Sequence, residues 1–183
     1  GLSLRLALIR HDRHGLMLPI SHVDGLVWLL ASLDSGCSNI IAGSFDAEET
    51  CEVLAREGVT LAGSTAEQHR AYVRFQRSQL HPVFPEVRGF PATGAPYPAT
   101  LADEVRSLFD APVLAAYGST EAPVLSTASP SDPRSQSGAG IPLPGVEVRI
   151  VDRSGSIVID GGEGEVRVRA DQLMAGYADH VDP

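Results

Sequence analysis

Apolar residues in the first two-thirds of the chain fall into short runs separated by stretches with helical periodicity. The short runs, which are typical of buried strands, lie at residues 15–18, 38–41, 58–62, 87–90 and 113–116. Stretches at residues 21–33, 46–57, 64–78 and from Thr100 onward predict helices between them. Strands that alternate with helices at short spacing favour an α/β fold, with a mostly parallel sheet flanked by helices.

Polar residues mark the starts of several predicted helices. Asp46 and Glu49 have the spacing of a capping box, and the buried face of their helix includes Cys51. Ser21 is expected to cap the preceding helix, and Ser64 or Thr65 the following one.

The pattern changes near residue 126. A segment rich in Ser, Pro and Gly occupies residues 126–145, and strict alternation of apolar and polar residues follows at 146–150 and 166–170. Alternation with turn residues between predicts antiparallel strands with one solvated face. We therefore expect an α/β subdomain over residues 1–126 and a partial, small antiparallel β subdomain over residues 127–183.

Composition limits the classes of function. A hydrophobic fraction of 43% and a charged fraction of 20% over 183 residues are typical of a globular domain, and we expect no membrane span. The formal net charge of −9 argues against nucleic-acid binding. All 14 basic residues are arginines, so no reaction here can use a lysine ammonium.

The two cysteines, Cys37 and Cys51, do not have metal-site spacing, and the histidines are scattered. We interpret both cysteines as reduced thiols of a cytoplasmic protein.

The clearest candidate for chemistry directly follows the apolar run at 111–116. There the sequence reads Tyr117-Gly118-Ser119-Thr120-Glu121. An aromatic face, two hydroxyls and a carboxylate suit a base, a phosphate and a metal ion. In an open parallel sheet, ligands bind outside the carboxyl ends of the strands, where this turn would lie.

Further segments stand in a defined order around that turn. They are Leu18 to Gly25, Ala92-Thr93-Gly94-Ala95-Pro96, Gly140 to Gly145, Gly164 to Arg169, and Gly176-Tyr177. Together they resemble the AMP-forming adenylate ligases: acyl-CoA synthetases, the adenylation domains of peptide synthetases, and luciferase-type enzymes. Residues 117–123 resemble acid–CoA ligases in particular. Residues 59–65 and 84–91 are similar to medium-chain or cyclohexanecarboxylate-type ligases.

The resemblance implies a reaction in two halves. A carboxylate attacks the α-phosphorus of ATP and releases pyrophosphate, which gives an acyl adenylate; the thiol of coenzyme A then displaces AMP. The implied cofactors and partners are ATP or AMP, Mg²⁺, coenzyme A and a small carboxylic acid. Negative charge develops at phosphorus in the first half, so cations and oriented donors are needed there.

The resemblance also assigns residues to roles. Nucleotide binding falls to Thr93, Gly94, Ala95, Pro96, Tyr117, Gly118, Ser119 and Thr120. Tyr117 would stack on adenine, with residues 93–96 as the opposite wall. Thr120 would bond the α-phosphate and Glu121 would hold Mg²⁺, so these two are the catalytic candidates. The acyl tunnel would be lined by His22, Trp28, Gly94 and Ala122.

Simpler interpretations stand beside these. Tyr117 could be a half-buried tyrosine at a strand end. His22 could be a helix-start residue bonded to backbone, and Trp28 is favoured more as core than as tunnel wall.

The resemblance further implies a phosphate loop with a lysine, a ribose-binding aspartate after Tyr177, and a C-terminal domain with a catalytic lysine. We do not find them in this sequence. We therefore expect a fragment of the large N-terminal domain, with negligible adenylation activity alone and a possible homodimer through surfaces exposed by truncation. The alternatives are a non-catalytic nucleotide-binding or interaction module, and a luciferase-like oxygenase that shares every motif present.

Overall fold

The computed structural model describes residues 1–132, 138–159 and 161–178. The helices are α1 (Leu2–Arg5), α2 (Val23–Ser35), α3 (Ala47–Arg56), α4 (Ala66–Arg77) and α5 (Ala99–Phe109). The strands are β1 (Arg13–Leu16), β2 (Ser38–Ile40), β3 (Leu61–Gly63), β4 (Phe90–Ala92), β5 (Val113–Tyr117), β6 (Ser126–Thr127), β7 (Ile141–Pro142), β8 (Glu147–Val151) and β9 (Glu165–Arg169).

The first five strands are parallel, which confirms the predicted fold class. Strands β2, β1 and β3 pair in that order, and β4 pairs with β5. Isolated parallel bridges at Leu61–Gly89 and Ser64–Ala92 join β3 to the segment of β4. On the other side β5 pairs antiparallel with β6, and β6 with β7. Strands β8 and β9 form the antiparallel pair predicted from their alternation.

Side-chain caps mark the starts of α2, α3 and α4. The Asp46 carboxylate accepts hydrogen bonds from the N–H groups of Glu48 and Glu49 at 3.1 and 3.0 Å, as expected for an N-cap. Thr65 and Gln68 form a reciprocal capping box at the start of α4.

The predicted cap of α2 is wrong by one residue. The N-cap is His22 instead of Ser21, and its Nδ1 accepts a hydrogen bond from the Asp24 N–H at 3.2 Å. An imidazole nitrogen that lacks its proton can take this role in place of a hydroxyl.

Two apolar clusters cover the two faces of the parallel strands. The first contains Tyr72, Phe84 and Phe90, packed between the sheet and helices α3 to α5. The second contains Leu6, Trp28 and Leu114, among others. Burying a side chain such as Phe90 or Leu114 stabilises a fold by about 1.5–3 kcal/mol. Strand β5 contributes Val113 to the first cluster and Leu114 to the second, whereas β4 contributes Phe90 and Ala92 to the first. Both strands are thereby anchored in the core.

Both thiols are free and buried, and the burial of Cys51 on its helix face is as predicted. Burial and the nearby Asp46 carboxylate raise the pKa of Cys51 to about 12, so this thiol stays protonated.

None of the helices described is both long and apolar enough to cross a membrane. The division of the chain at residue 126 stays a prediction.

Candidate nucleotide site

The pairing of β4 with β5 brings two of the predicted segments to one edge of the sheet. Ala92 lies opposite Ala115 in the parallel register, so the chain leaves both strands at the same edge. The segment after β4 and the turn after β5 then enclose a cleft of about 390 Å³. Its lining residues are Gly94, Ala95, Pro96, Tyr97, Ala115, Ala116, Tyr117, Gly118, Gly138 and Ala139.

The two walls of the cleft differ in character. Tyr117 ends β5 with 46% of its surface exposed, so its ring is available to a ligand. On the opposite wall Gly94 has a φ of +91°, a conformation that favours glycine and turns the chain back at Ala95. Thr93, by contrast, is buried, and it is absent from the lining of the cleft.

The turn after Tyr117 is closed by its own hydrogen bonds. The Ser119 N–H donates to the Ala122 carbonyl at 3.1 Å, and the Ala122 N–H donates to the Ser119 hydroxyl at 3.2 Å. A side chain on Gly118 would approach the Val124 nitrogen to 2.5 Å, so only glycine fits this position without a shift. Thr120 lies exposed at the tip of the turn.

Glu121 carries its carboxylate at the protein surface beside this turn. The Tyr177 hydroxyl donates to Glu121 Oε1 at 2.8 Å. The backbone N–H of Glu121 itself, the Tyr177 hydroxyl and the Ser119 hydroxyl all hold the pKa of the Glu121 carboxyl below its ordinary value. The group is therefore ionised at neutral pH, as a metal ligand must be.

The start of α2 lies beside the Gly94 bend. A side-chain carbon built on Gly94 would be 3.8 Å from Asp24 Oδ2, and that oxygen is 3.5 Å from His22 Nδ1. His22 and Gly94 thus both lie beside the Asp24 carboxylate. The role of either residue toward an acyl group stays a prediction.

The other two tunnel candidates are core residues in this structure. Trp28 is only 2% exposed, and its ring lies edge-on to the His14 ring at 5.6 Å. Ala122 is buried in the same cluster. The structure favours the interpretation of Trp28 as core, and its assignment to a tunnel wall is not supported by an open surface.

Sequence reasoning missed several neighbours of the site. Tyr97 directly follows the predicted wall, and its aromatic character was the available signal. Gly138 and Ala139 come from the Ser/Pro/Gly-rich segment, where the Ser126 hydroxyl donates to the Ala139 carbonyl at 2.7 Å. The contact of Tyr177 with Glu121 spans 56 positions, which no local pattern could predict.

Residues 3–178 match the AMP-binding enzyme family. The chain belongs to this family. The match covers nearly the whole chain and confirms the resemblance inferred from the motifs. The similarity to medium-chain or cyclohexanecarboxylate-type ligases in particular stays a prediction.

Curated relatives of this chain include several CoA ligases. A probable CoA ligase from Humulus lupulus is 29% identical over 96% of this chain and 34% of its own length. The 2-succinylbenzoate–CoA ligase of Bacillus licheniformis is also 29% identical, over 96% of this chain and 36% of its own. The oxalate–CoA ligase of Arabidopsis thaliana is 27% identical over 96% of this chain and 35% of its own length. The chain thus spans about a third of the length of these relatives.

Solved structures of the family have the same fold. The O-succinylbenzoate coenzyme A synthetase of Bacillus subtilis, in complex with ATP and magnesium ion, superimposes with a TM-score of 0.81 at 25% identity, over 96% of this chain and 36% of that one. ATP-bound MatB from Rhodopseudomonas palustris gives a TM-score of 0.85 at 25% identity, over 96% of this chain and 35% of that one.

Proposed function

We propose that this chain forms the adenylate-binding part of an AMP-forming acid–CoA ligase. Such an enzyme activates a carboxylic acid with ATP to an acyl adenylate and transfers the acyl group to coenzyme A. The observation that carries the proposal is the cleft in which the Gly94 bend faces Tyr117, with Glu121 on the adjoining turn.

The cleft suits the adenosine part of a nucleotide. Its volume of about 390 Å³ lies within the range of roughly 300–1,000 Å³ that is common for small-molecule sites. The Tyr117 ring offers a stacking face, and Gly94 lets the opposite backbone come close to a flat base. Ala95 and Pro96 add apolar surface on that wall.

The turn after β5 would handle phosphate and metal. Thr120 is exposed at its tip, where a hydroxyl and an N–H can donate to an α-phosphate oxygen. Glu121 presents an ionised carboxylate, which fits Mg²⁺ chemically. No group of three or more His, Cys, Asp or Glu side chains that could hold a metal occurs among the described residues. Mg²⁺ would therefore be shared between Glu121, the nucleotide phosphates and water, and would offset the charge that develops at phosphorus.

The acid would enter from the side of α2. At the start of that helix, the Asp24 carboxylate lies beside both the His22 ring and the Gly94 bend. The relatives named above act on different acids, so family membership leaves the acid open. We infer that the acyl part of a small carboxylic acid lies along His22 and Gly94, and that Trp28 and Ala122 support this region from the core.

Binding of AMP to the Tyr117→Ala variant tests the nucleotide site. Loss of one base-stacking ring weakens binding by about tenfold, since such stacking contributes about 1–3 kcal/mol per base. The matched control is Leu80→Ala, which removes a side chain that is 97% exposed in a different groove. Equal AMP affinity for Tyr117→Ala and the unsubstituted chain, measured by isothermal titration calorimetry, would overturn the assignment.

An ATP–pyrophosphate exchange assay separates the ligase from a non-catalytic nucleotide-binding module. The chain contains no lysine, so we expect negligible exchange from these 183 residues alone. Robust exchange would contradict that expectation. AMP binding without exchange in the longest natural form of the protein would favour the module.

Self-association stays a prediction about this chain. Leu26, Leu30 and Leu33 lie along α2 with 46%, 54% and 63% of their surfaces exposed. Light scattering across a range of concentrations tests whether this face pairs with a second copy, and a monomer throughout would contradict a homodimer.

A further inference from the structure

We propose that Tyr177 is a positioning residue for the metal-binding carboxylate, and that its hydroxyl sets the orientation of Glu121. This inference rests on the proposed function, because it concerns the same Mg²⁺ and nucleotide. It assigns to Tyr177 a task that acts through Glu121 and involves no contact with substrate.

The segment before Tyr177 is fastened to the β5 turn at several points. The Tyr177 hydroxyl donates to Glu121 Oε1 at 2.8 Å, and the Met174 N–H donates to the Glu121 carbonyl at 2.8 Å. The Gln172 amide reaches the Val124 carbonyl at 3.4 Å. Both the backbone and the side chain of Glu121 are therefore bonded to this one segment.

Gly176 gives the segment the direction that this contact needs. Its φ of +127° is a conformation that residues with a side chain rarely adopt. The residue that follows is Tyr177, whose hydroxyl reaches Glu121. The backbone bond from Met174 to Glu121 therefore holds the two segments together beside the side-chain hydrogen bond.

A tyrosine hydroxyl is well suited to orient a carboxylate without neutralising it. The O–H donates one hydrogen bond to Oε1 and carries no positive charge, so the carboxylate keeps its charge for a cation. An arginine in this place would cancel the charge, but none of the ion pairs among the described residues involves Glu121. Hydrogen-bond partners of this kind fix the geometry of metal ligands, and their loss costs about 10–100-fold in metal affinity or activity.

The protonation states agree with this arrangement. Hydrogen bonding lowers the pKa of the Glu121 carboxyl, and the hydrogen bond to Glu121 raises the pKa of the Tyr177 phenol. At neutral pH the phenol remains a donor and the carboxylate remains charged.

The test is a double-mutant cycle of Tyr177→Phe and Glu121→Gln, each in the full chain. The measured quantity is the Mg²⁺ concentration that gives half-maximal enhancement of ATP binding, with AMP binding in the absence of Mg²⁺ as a second readout. We expect Tyr177→Phe to raise that Mg²⁺ concentration by about tenfold, the lower end of the range for such partners, because this one is at the surface. We expect no further increase when Tyr177→Phe is added to Glu121→Gln.

The outcomes separate this inference from the proposed function. Absence of ATP and AMP binding in the unsubstituted chain, or no change in Mg²⁺ dependence for Glu121→Gln, would contradict the proposed site and the inference with it. A normal Mg²⁺ dependence in Tyr177→Phe, beside an altered one in Glu121→Gln, would overturn the role of Tyr177 alone. An equal effect of Tyr177→Phe in both backgrounds, or a loss of Mg²⁺-free AMP binding, would also overturn it, because a positioning role must act through the carboxylate and the metal.

Discussion

The hydroxyl of Tyr97 lies 3.0 Å from Nδ1 of His69 and links the wall of the cleft to helix α4. On the other side of the ring, His69 Nε2 is 3.0 Å from the carbonyl oxygen of Ala62. A carbonyl only accepts, so Nε2 carries the proton and Nδ1 accepts from the Tyr97 hydroxyl. The bend that carries Gly94 is thereby connected to the core of the parallel sheet.

Substitution of Tyr97 by phenylalanine should destabilise the protein. The change leaves Nδ1 of the fully buried His69 without its donor, which costs about 1–3 kcal/mol. Urea denaturation measures the change in the free energy of unfolding. Tyr177→Phe serves as the control, because its phenol is at the surface and the expected change is within about 0.5 kcal/mol. Equal changes for the two variants would contradict the role of Tyr97.

Stability should increase with pH between about 4 and 6.5. Burial lowers the pKa of His14 and of His69 from 6.5 to about 4, so the unfolded chain binds more protons in this window. The free energy of unfolding therefore falls as the pH drops below 6.5, by about 3 kcal/mol per histidine near pH 4, and these two groups leave it constant above 6.5. Urea denaturation at several pH values, with NMR titration of both imidazoles, checks this. Titration of both near pH 6.5 would refute it.

The ion pair between the buried carboxylate of Asp12 and the partly exposed guanidinium of Arg88 should be more costly to break than a pair with both partners exposed. Arg88 bonds both carboxylate oxygens of Asp12, which is 2% exposed, and the Thr60 hydroxyl and the Ile9 N–H donate to the same carboxylate. Although burial alone would raise it, these bonds hold the pKa of Asp12 below its usual value. Arg88→Gln should lower the free energy of unfolding by about 3–5 kcal/mol.

The control for that prediction is the nearby pair of Arg13 and Glu57. The two side chains are 42% and 39% exposed, and Arg13 Nη2 lies 2.7 Å from Glu57 Oε2. Arg13→Gln should cost at most about 1 kcal/mol, since exposed pairs are screened by water. A loss in Arg88→Gln no larger than that in Arg13→Gln would contradict the prediction that burial of Asp12 raises the cost of breaking its ion pair.

Substitution of Gly118 by alanine should disrupt the turn after β5. The new carbon would lie 2.5 Å from the Val124 nitrogen and 2.9 Å from the Ala122 carbonyl oxygen, so the turn must shift. We expect a destabilisation of about 1–3 kcal/mol, the usual cost of overpacking, and weaker AMP binding. Gly43→Ala is the matched control, because nothing lies within 4 Å of its added carbon. Thermal unfolding and AMP titration of both variants test this, and identical behaviour would contradict it.

The periodicity of apolar residues predicted the parallel strands and the helices between them, because both faces of such a sheet must be covered. Boundaries moved by a few residues: the run at 15–18 predicted a strand that lies at Arg13–Leu16. Apolar runs do not distinguish a paired residue from its buried neighbour. The cap of α2 was misplaced for a similar reason, since a serine and a histidine can both accept from backbone N–H groups.

The candidate site was predictable only where its residues adjoin strand ends. Tyr117 and Gly94 follow two neighbouring parallel strands, so their proximity follows from topology. Tyr177 could not be placed in the same way, because its contact with Glu121 depends on the route of the chain after β9.

A crystal structure of the protein with AMP is the decisive test of the nucleotide site. We expect adenine stacked on the Tyr117 ring and opposite the bend at residues 94–96, with the phosphate beside Thr120. Density for AMP at another place, such as the groove between α3 and α4, or a bare cleft at saturating AMP, would contradict it.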